Sequence, residues 1–238
     1  MNFEQFSSPI SNGLLNTLPR AEYRQILPYL KLVKLERGEI IHPAQQVIDY
    51  VYFPLSGLIS MLVSAPNGDM IEASIYGNEA IISLPAFLGD RVSLHQVEVQ
   101  IPGAALRMKA YDFKKFCRLS ATIRKKLSYY SHLMIEQLSQ TILCNSYHSV
   151  EQRLCRWLLT ARDRISSDYL PLTRDVLATM TGARRPRIST ILTRLAARGL
   201  IQSSRGVIKI VDPEGLEELS CECYRILKTY AEEHSGKR

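Results

Sequence analysis

From Ala121 to Asn145 the chain runs for 25 residues without a glycine or a proline. Its apolar positions, Ile123, Leu127, Tyr130, Leu133, Met134, Ile135, Leu138, Ile142 and Leu143, recur at helical spacing and cover more than one face. Such a helix is buried on several sides, so it must pack on its own chain and also on a partner helix. Ser131, Gln137 and Thr141 interrupt the heptad order, and the seam expected for a dimer runs through Leu127, Tyr130, Met134 and Leu138.

The chain before this helix has a different texture. Residues 13–31 look helical, with Leu14, Leu15, Leu18, Ile26, Leu27 and Leu30 as the apolar set. From 32 to about 110, short β-branched runs succeed one another: Lys31–Leu35, Glu39–His42, Tyr50–Phe53, Leu58–Ser64, Met70–Ile75, Val97–Ile101 and Ala105–Met108. Turn residues separate them, among them Pro54, Ser56-Gly57, Asn67-Gly68, Gly89-Asp90 and Pro102-Gly103. Short strands so punctuated predict a sandwich or barrel, with a hairpin at Asn67-Gly68. Residues 111–118 predict a short helix leading into the long one.

Beyond the long helix the pattern is helical again. Residues 149–165 are amphipathic, and Gln152 stands three residues after Ser149, the spacing of a capping box. Then comes LTRDVLATMTGARRPRISTILTRLAARGLIQSSRGVIKI, residues 172–210. Thr173 can cap a helix over Arg174–Met180, and Gly182 permits a sharp turn. A second helix opens near Arg185-Pro186, where proline lacks only an N–H that would have no helical partner. Ile188, Ile191, Leu192 and Leu195 share one face of it; Arg185, Arg187, Ser189, Thr190 and Arg194 share the other. Leu200–Ser204 and Val207–Val211 read as a strand pair around Arg205-Gly206. The sum is helix, turn, helix and a β-hairpin wing, and a further helix is expected over Leu216–Tyr230.

The charge falls where this motif lies. Residues 174–209 hold eight bases against the single acid Asp175, an excess equal to the formal net charge of +7 for all 238 residues. Counterion release draws such a face to polyanions. Residues 107–126 are equally basic but carry no recognition motif, so they read as a solvated face. With 46% hydrophobic and 22% charged residues the chain is neither disordered nor collagen-like. No apolar run reaches the roughly 18–20 residues of a membrane span. No signal peptide is read at the N-terminus, and five cysteines, all after residue 116, suit reduced thiols in a cytoplasm. There is no nucleophile elbow, HExxH or P-loop, so no enzyme is expected.

The segment LTRDVLATMTGARRPRISTILTRLAARGLI resembles the C-terminal helix-turn-helix of the CRP/FNR family of bacterial transcription regulators. The order before it fits as well, and the resemblance covers about residues 14–225. It implies an α+β chain: an N-terminal β-roll (cupin-like jelly roll) sensor domain over 1–120, a long dimerisation helix over 121–148, and a C-terminal winged helix-turn-helix over 149–238. The implied function is a cytoplasmic homodimer that places its recognition helices in the major grooves of a pseudo-palindromic operator on double-stranded DNA. RNA polymerase is a further candidate partner. The contact set expected is Thr173, Arg174, Arg184, Arg185, Pro186, Arg187, Ser189, Thr190, Arg194 and Arg205. Arg185 stands where the family reads guanine, whereas Pro186 replaces a common glutamate, so half-site preference does not carry over. The alternatives are a signal-binding module that acts on a protein partner, and a regulator that does bind a cyclic nucleotide.

In cyclic-nucleotide-binding relatives a Gly-Glu pair takes the ribose, and a later Arg-Ser or Arg-Thr pair takes the cyclic phosphate. Here the first is split as Gly77-Asn78-Glu79, and the second falls on Gln96-Val97. Neither residue supplies a cation, and Arg91 is the nearest arginine. The pocket set is therefore Glu79, Arg91, Gln96 and Val97, with cyclic AMP not expected and no effector named. No cofactor and no metal are expected. No cysteine precedes Cys117, as a family iron–sulfur cluster would require, and His42 and His95 are the candidate axial ligands for a haem. Cys221 and Cys223, in SCECY, would point apart on a helix and lack two further ligands for zinc. Cys117, Cys144 and Cys155 read as isolated core thiols.

Overall fold

The computed structural model describes residues 12–89 and 91–235, so Asp90 of the expected Gly89-Asp90 turn lies outside the described residues. The chain divides into two compact units. One comprises the residues up to Ile59 with Tyr76–His132, the other Ser60–Ile75 with the residues from Leu133 onward. The second unit therefore includes a hairpin that the strand pattern alone assigns to the β-roll.

The first unit opens on helices α1 (Gly13–Asn16) and α2 (Arg20–Ile26) and a 3-10 turn at Leu27–Tyr29, rather than on one continuous helix. Asn12 anchors this start. Its Oδ1 accepts the Leu15 N–H, and its fully buried amide donates to the carbonyls of Pro54 and Ala80, each at 2.9 Å. Strands β1 (Lys31–Leu35), β2 (Ile40–His42), β3 (Tyr50–Ser64) and β4 (Met70–Tyr76) come after it. Then come a short helix α3 (Pro85–Leu88) and strand β5 (Gln96–Lys109). The sheet order is β1-β5-β3-β4, with β2 also paired to β5.

Two pairs of expected strands are single strands. Tyr50–Phe53 and Leu58–Ser64 fuse as β3, and Val97–Ile101 and Ala105–Met108 fuse as β5. Ser56-Gly57 and Pro102-Gly103, with the composition of turns, are instead the place where the two backbones meet. A Cβ on Gly103 would overlap the Ser56 carbonyl oxygen, and one on Gly57 would lie 2.7 Å from that of Ile101. Glycine inside a strand marks such a close approach as readily as a turn. At Asn67-Gly68 the chain does turn, but through a five-residue loop closed by Ala65 N–H donating to the Asp69 carbonyl. Gly68 takes the positive φ of 88° there.

Helices α4 (Ala110–Leu119) and α5 (Ala121–Tyr147) come next. The first unit's core gathers Leu15, Ile26, Phe53, Phe113, Ile123 and Leu127, with the rings of Phe53 and Phe113 packed edge to face at 6.0 Å. Leu127 has no exposed surface, and Tyr130 packs against the same core. The expected seam is thus turned inward at its start: Leu127 spends its apolar surface on its own chain.

The second unit is built on α6 (Val150–Ile165), whose Ser149 and Gln152 form the capping box expected. Then come β6 (Tyr169–Leu170), α7 (Arg174–Thr181), α8 (Arg185–Ala197), β7 (Ile201–Ser204) and β8 (Val207–Ile210), the strands ordered β6-β8-β7. Trp157, Leu158, Leu177, Ile188, Ile191, Leu192 and Leu195 are all buried. The single helix expected over Leu216–Tyr230 is two, α9 (Pro213–Glu218) and α10 (Cys223–Ser235). Cys221 and Glu222 fall in the break, so the helical argument that parted the two thiols does not apply to them.

Candidate nucleic-acid interface

Local chemistry sets where the two helices begin and end. Thr173 Oγ1 accepts the Val176 N–H at 3.3 Å and starts α7. Gly182 ends it in the left-handed region, φ 59°, and a Cβ there would meet Ile71 Cδ1 of the β3–β4 hairpin at 2.7 Å. Pro186 lies in the first turn of α8. The apolar stripe Ile188, Ile191, Leu192 and Leu195 is turned inward. The opposite face is therefore obliged to face solvent: Arg184, Arg185, Pro186, Arg187, Thr190 and Arg194 are exposed and Ser189 is half-buried. Arg174 is exposed at the start of α7, and Arg205 at the tip of the wing beside Gly206, φ 79°.

Two of these arginines already have partners on the protein. Arg185 Nε lies 2.9 Å from Asp175 Oδ1, and Arg194 Nη2 donates to Glu151 Oε2 at 2.9 Å. Neither pairing was read from the sequence. Asp175 is the one acid in the basic stretch, and its place in the first turn of α7 was the available signal. Thr190 Oγ1 donates to the Pro186 carbonyl at 3.1 Å, so its hydroxyl proton is spent within the helix and it offers a lone pair and a methyl. On the wing, Lys209 Nζ stands over the Tyr169 ring at 5.1 Å.

The equally basic segment 107–126 spreads over β5, α4 and α5 instead of one face. Arg107 lies over the Tyr50 ring at 4.5 Å, and Arg124 Nη1 donates to the carbonyls of Cys117 and Arg118 at the end of α4. These are local structural contacts.

In the first unit, Glu79 Oε1 accepts the Gly77 N–H of its own loop at 3.1 Å. Gln96 Nε2 donates to Glu98 Oε2 at 3.0 Å, and Val97 is buried on β5 opposite His42. Arg91 is exposed, its carbonyl accepting the Ile48 N–H. His42 Nδ1 is 2.6 Å from the Pro43 carbonyl, and burial lowers the His95 pKa.

On α5, the buried residues include Leu127 and Met134, while Ile135 is 59% and Ile142 68% exposed, with Leu143 and Tyr147 beside them. Burial pushes the thiols of Cys117 and Cys155 up to about 12, which keeps them protonated and inert. Cys144 is not isolated: it clusters with Cys221 and Cys223. No helix among the described residues is long and apolar enough to cross a membrane.

Residues 32–120 match the cyclic nucleotide-binding domain, and residues 152–219 match the Crp-like helix-turn-helix domain. The chain is similar to the nitrogen fixation regulation protein FixK of Bradyrhizobium diazoefficiens, 24% identical over 88% of this chain and 90% of that one. Its fold is shared with a transcriptional regulator of the CRP/FNR family from Eubacterium rectale, with a TM-score of 0.69, 21% identity, and coverage of 87% and 96% of the two chains. It is shared also with FixK2 from Bradyrhizobium japonicum, with a TM-score of 0.70, 15% identity, and coverage of 81% and 98%. With a cyclic nucleotide-binding domain, a long helix and a Crp-like helix-turn-helix in that order, the chain belongs to the CRP/FNR family of transcription regulators and is not an enzyme.

Proposed function

We propose that this regulator binds a pseudo-palindromic operator as a homodimer in the cytoplasm, and does so without a cyclic nucleotide. The observation that carries the reading is the face of α8. Its arginines and hydroxyl residues project to solvent because its aliphatic stripe is consumed by the core. The N-terminal end of that helix would meet base edges. Arg174, Arg205 and the helix-end amides would hold phosphates, which position the protein without reading sequence. Arg185 is the residue proposed to contact a base, after exchanging Asp175 for a guanine edge.

The dimer would form along α5, through the exposed positions Ile135 and Ile142 rather than through Leu127. Independence from cyclic AMP rests on the phosphate positions. Gln96 is engaged with Glu98, Val97 is buried, and Glu79 is turned to its own loop. A buried cyclic phosphate needs a cation that this pair of residues does not supply. RNA polymerase is proposed as a further partner on the family resemblance alone.

The test is selection of genomic fragments by the purified chain, then anisotropy titration of the enriched site at several salt concentrations, with and without cyclic AMP. A palindromic site bound by two chains, with affinity falling steeply in salt and indifferent to cyclic AMP, is expected. Weak salt dependence with no preferred site would favour a module that acts on a protein partner. Tightening by micromolar cyclic AMP would overturn the nucleotide-free reading.

A further inference from the structure

Four side chains with metal-binding atoms converge in the second unit, away from α8. Cys144 lies in the last turn of α5, His148 in the turn to α6, Cys221 in the break between α9 and α10, and Cys223 at the first residue of α10. Their ligand atoms all lie within 4.8 Å of one another. Cys144 Sγ and Cys221 Sγ are 3.4 Å apart, and Cys223 Sγ is 3.5 Å from His148 Nδ1. On one tetrahedral zinc ion, bonds of about 2.3 Å to sulfur and about 2.0–2.1 Å to nitrogen set sulfur pairs about 3.8 Å apart and sulfur–nitrogen pairs about 3.5 Å apart. We propose that Cys144, His148, Cys221 and Cys223 are the closed ligand set of a structural zinc site.

The surroundings argue for a site over a cluster of packed thiols. His148 Nε2 lies 3.1 Å from Glu222 Oε1, which fixes the proton on that nitrogen and turns the Nδ1 lone pair toward the sulfurs. A carboxylate behind a ligating imidazole is the usual outer partner of zinc. Gln140 Nε2 donates to Cys223 Sγ at 3.1 Å. Arg153 and Arg156 bring two guanidinium groups near Cys144, each with a buried Nε that has no hydrogen-bond partner among the described residues. Three thiolates and one Zn²⁺ carry a net charge of −1, and these cations balance it. A polynuclear iron–sulfur cluster spreads its ligands over several irons, whereas these four atoms are as close as the ligands of a single ion. The ion would tie the end of α5 and the α5–α6 turn to the start of α10. In sequence, Cys144 and Cys221 are 77 positions apart.

The experiment is elemental analysis of the untagged full-length chain, purified under reducing conditions without chelator, with cobalt reconstitution of the stripped protein. About one zinc per chain is expected, and a visible spectrum of tetrahedral thiolate-bound cobalt. Cys144→Ser and Cys223→Ser should lose the metal, and Glu222→Gln should weaken it by about tenfold through the imidazole. Cys155→Ser, a control outside the cluster, should keep full stoichiometry, and circular dichroism checks that each variant is folded. A high-affinity chelator should lower the melting temperature of the wild type and leave that of Cys223→Ser unmoved. A wild-type chain that holds no zinc and takes up no cobalt overturns the proposal. So does iron with inorganic sulfide at these residues, or a Cys144–Cys221 disulfide in the reduced preparation.

Discussion

The indole N–H of Trp157 donates to Glu72 Oε1 at 2.6 Å, joining two buried side chains 85 residues apart, one on the β3–β4 hairpin and one on α6. Ser60 Oγ meets the other carboxyl oxygen at 2.5 Å and Met180 Sδ of α7 at 3.3 Å. The carboxyl group accepts at both oxygens, from the indole N–H at Oε1 and from the Ser60 hydroxyl at Oε2. Burial raises the Glu72 pKa to about 7, against hydrogen bonds from Ser60 and Trp157 and the more distant charges of Arg156 and Arg164.

This shift gives stability a pH dependence of definite sign. The folded pKa lies above the unfolded one, so the contribution of Glu72 is fully present below about pH 4.5 and is lost as pH rises through about 7. The unfolding free energy of Glu72→Gln minus that of wild type should rise by up to about 3 kcal/mol between pH 4.5 and pH 8. Denaturant melts at both pH values measure it; a difference that stays constant with pH would show that Glu72 is not the titrating group.

Arg185→Ala should weaken binding to the selected operator by about 10–100-fold, the value of one good arginine–guanine contact, and leave the dimer intact. Asp175→Ala frees the same side chain from its surface ion pair and removes a negative charge from the interface. It should tighten binding a few-fold at low salt, because such exposed pairs hold little energy of their own. Anisotropy titrations of both variants check this, and unchanged affinity for Arg185→Ala would remove it from the contact set.

Leu127 and Ile135 should separate folding from assembly. Leu127→Ala opens a cavity in the first unit and should cost about 2–5 kcal/mol of stability. Ile135→Glu with Ile142→Glu charges the exposed face of α5 and should yield folded monomers. Sedimentation equilibrium with thermal melts tells the two apart. A dimer that survives both charges would move the interface elsewhere.

Gly103→Ala forces a methyl group against the Ser56 carbonyl, a backbone atom that cannot step aside. A loss of about 2 kcal/mol or more is expected, or roughly 4–8 °C in melting temperature for a chain of this size. Gly38→Ala, where a Cβ meets nothing within 4 Å, should suffer only the strain of its positive φ. Equal losses at both positions would show that the close approach of β3 and β5 is not the cause.

Much of this protein was legible in one dimension because the signals are local. The capping box at Ser149, the Thr173 cap, the Gly182 turn and the apolar stripe of α8 each depend on residues within a few positions of one another. They determined the helix-turn-helix and the side of α8 that stays wet, and with it the family resemblance. Tertiary structure decided whatever depends on residues far apart. Ser56-Gly57 and Pro102-Gly103 carry the composition of turns, and only the crossing of two strands makes them something else. A helix apolar on several faces does not say which face its own chain will cover, so Leu127 could equally face a partner until the core of the first unit claims it. The pairing of Glu72 with Trp157 and the meeting of Cys144 and His148 with Cys221 and Cys223 have no periodicity to betray them. They arise because packing brings distant segments within reach of a hydrogen bond or of a single ion.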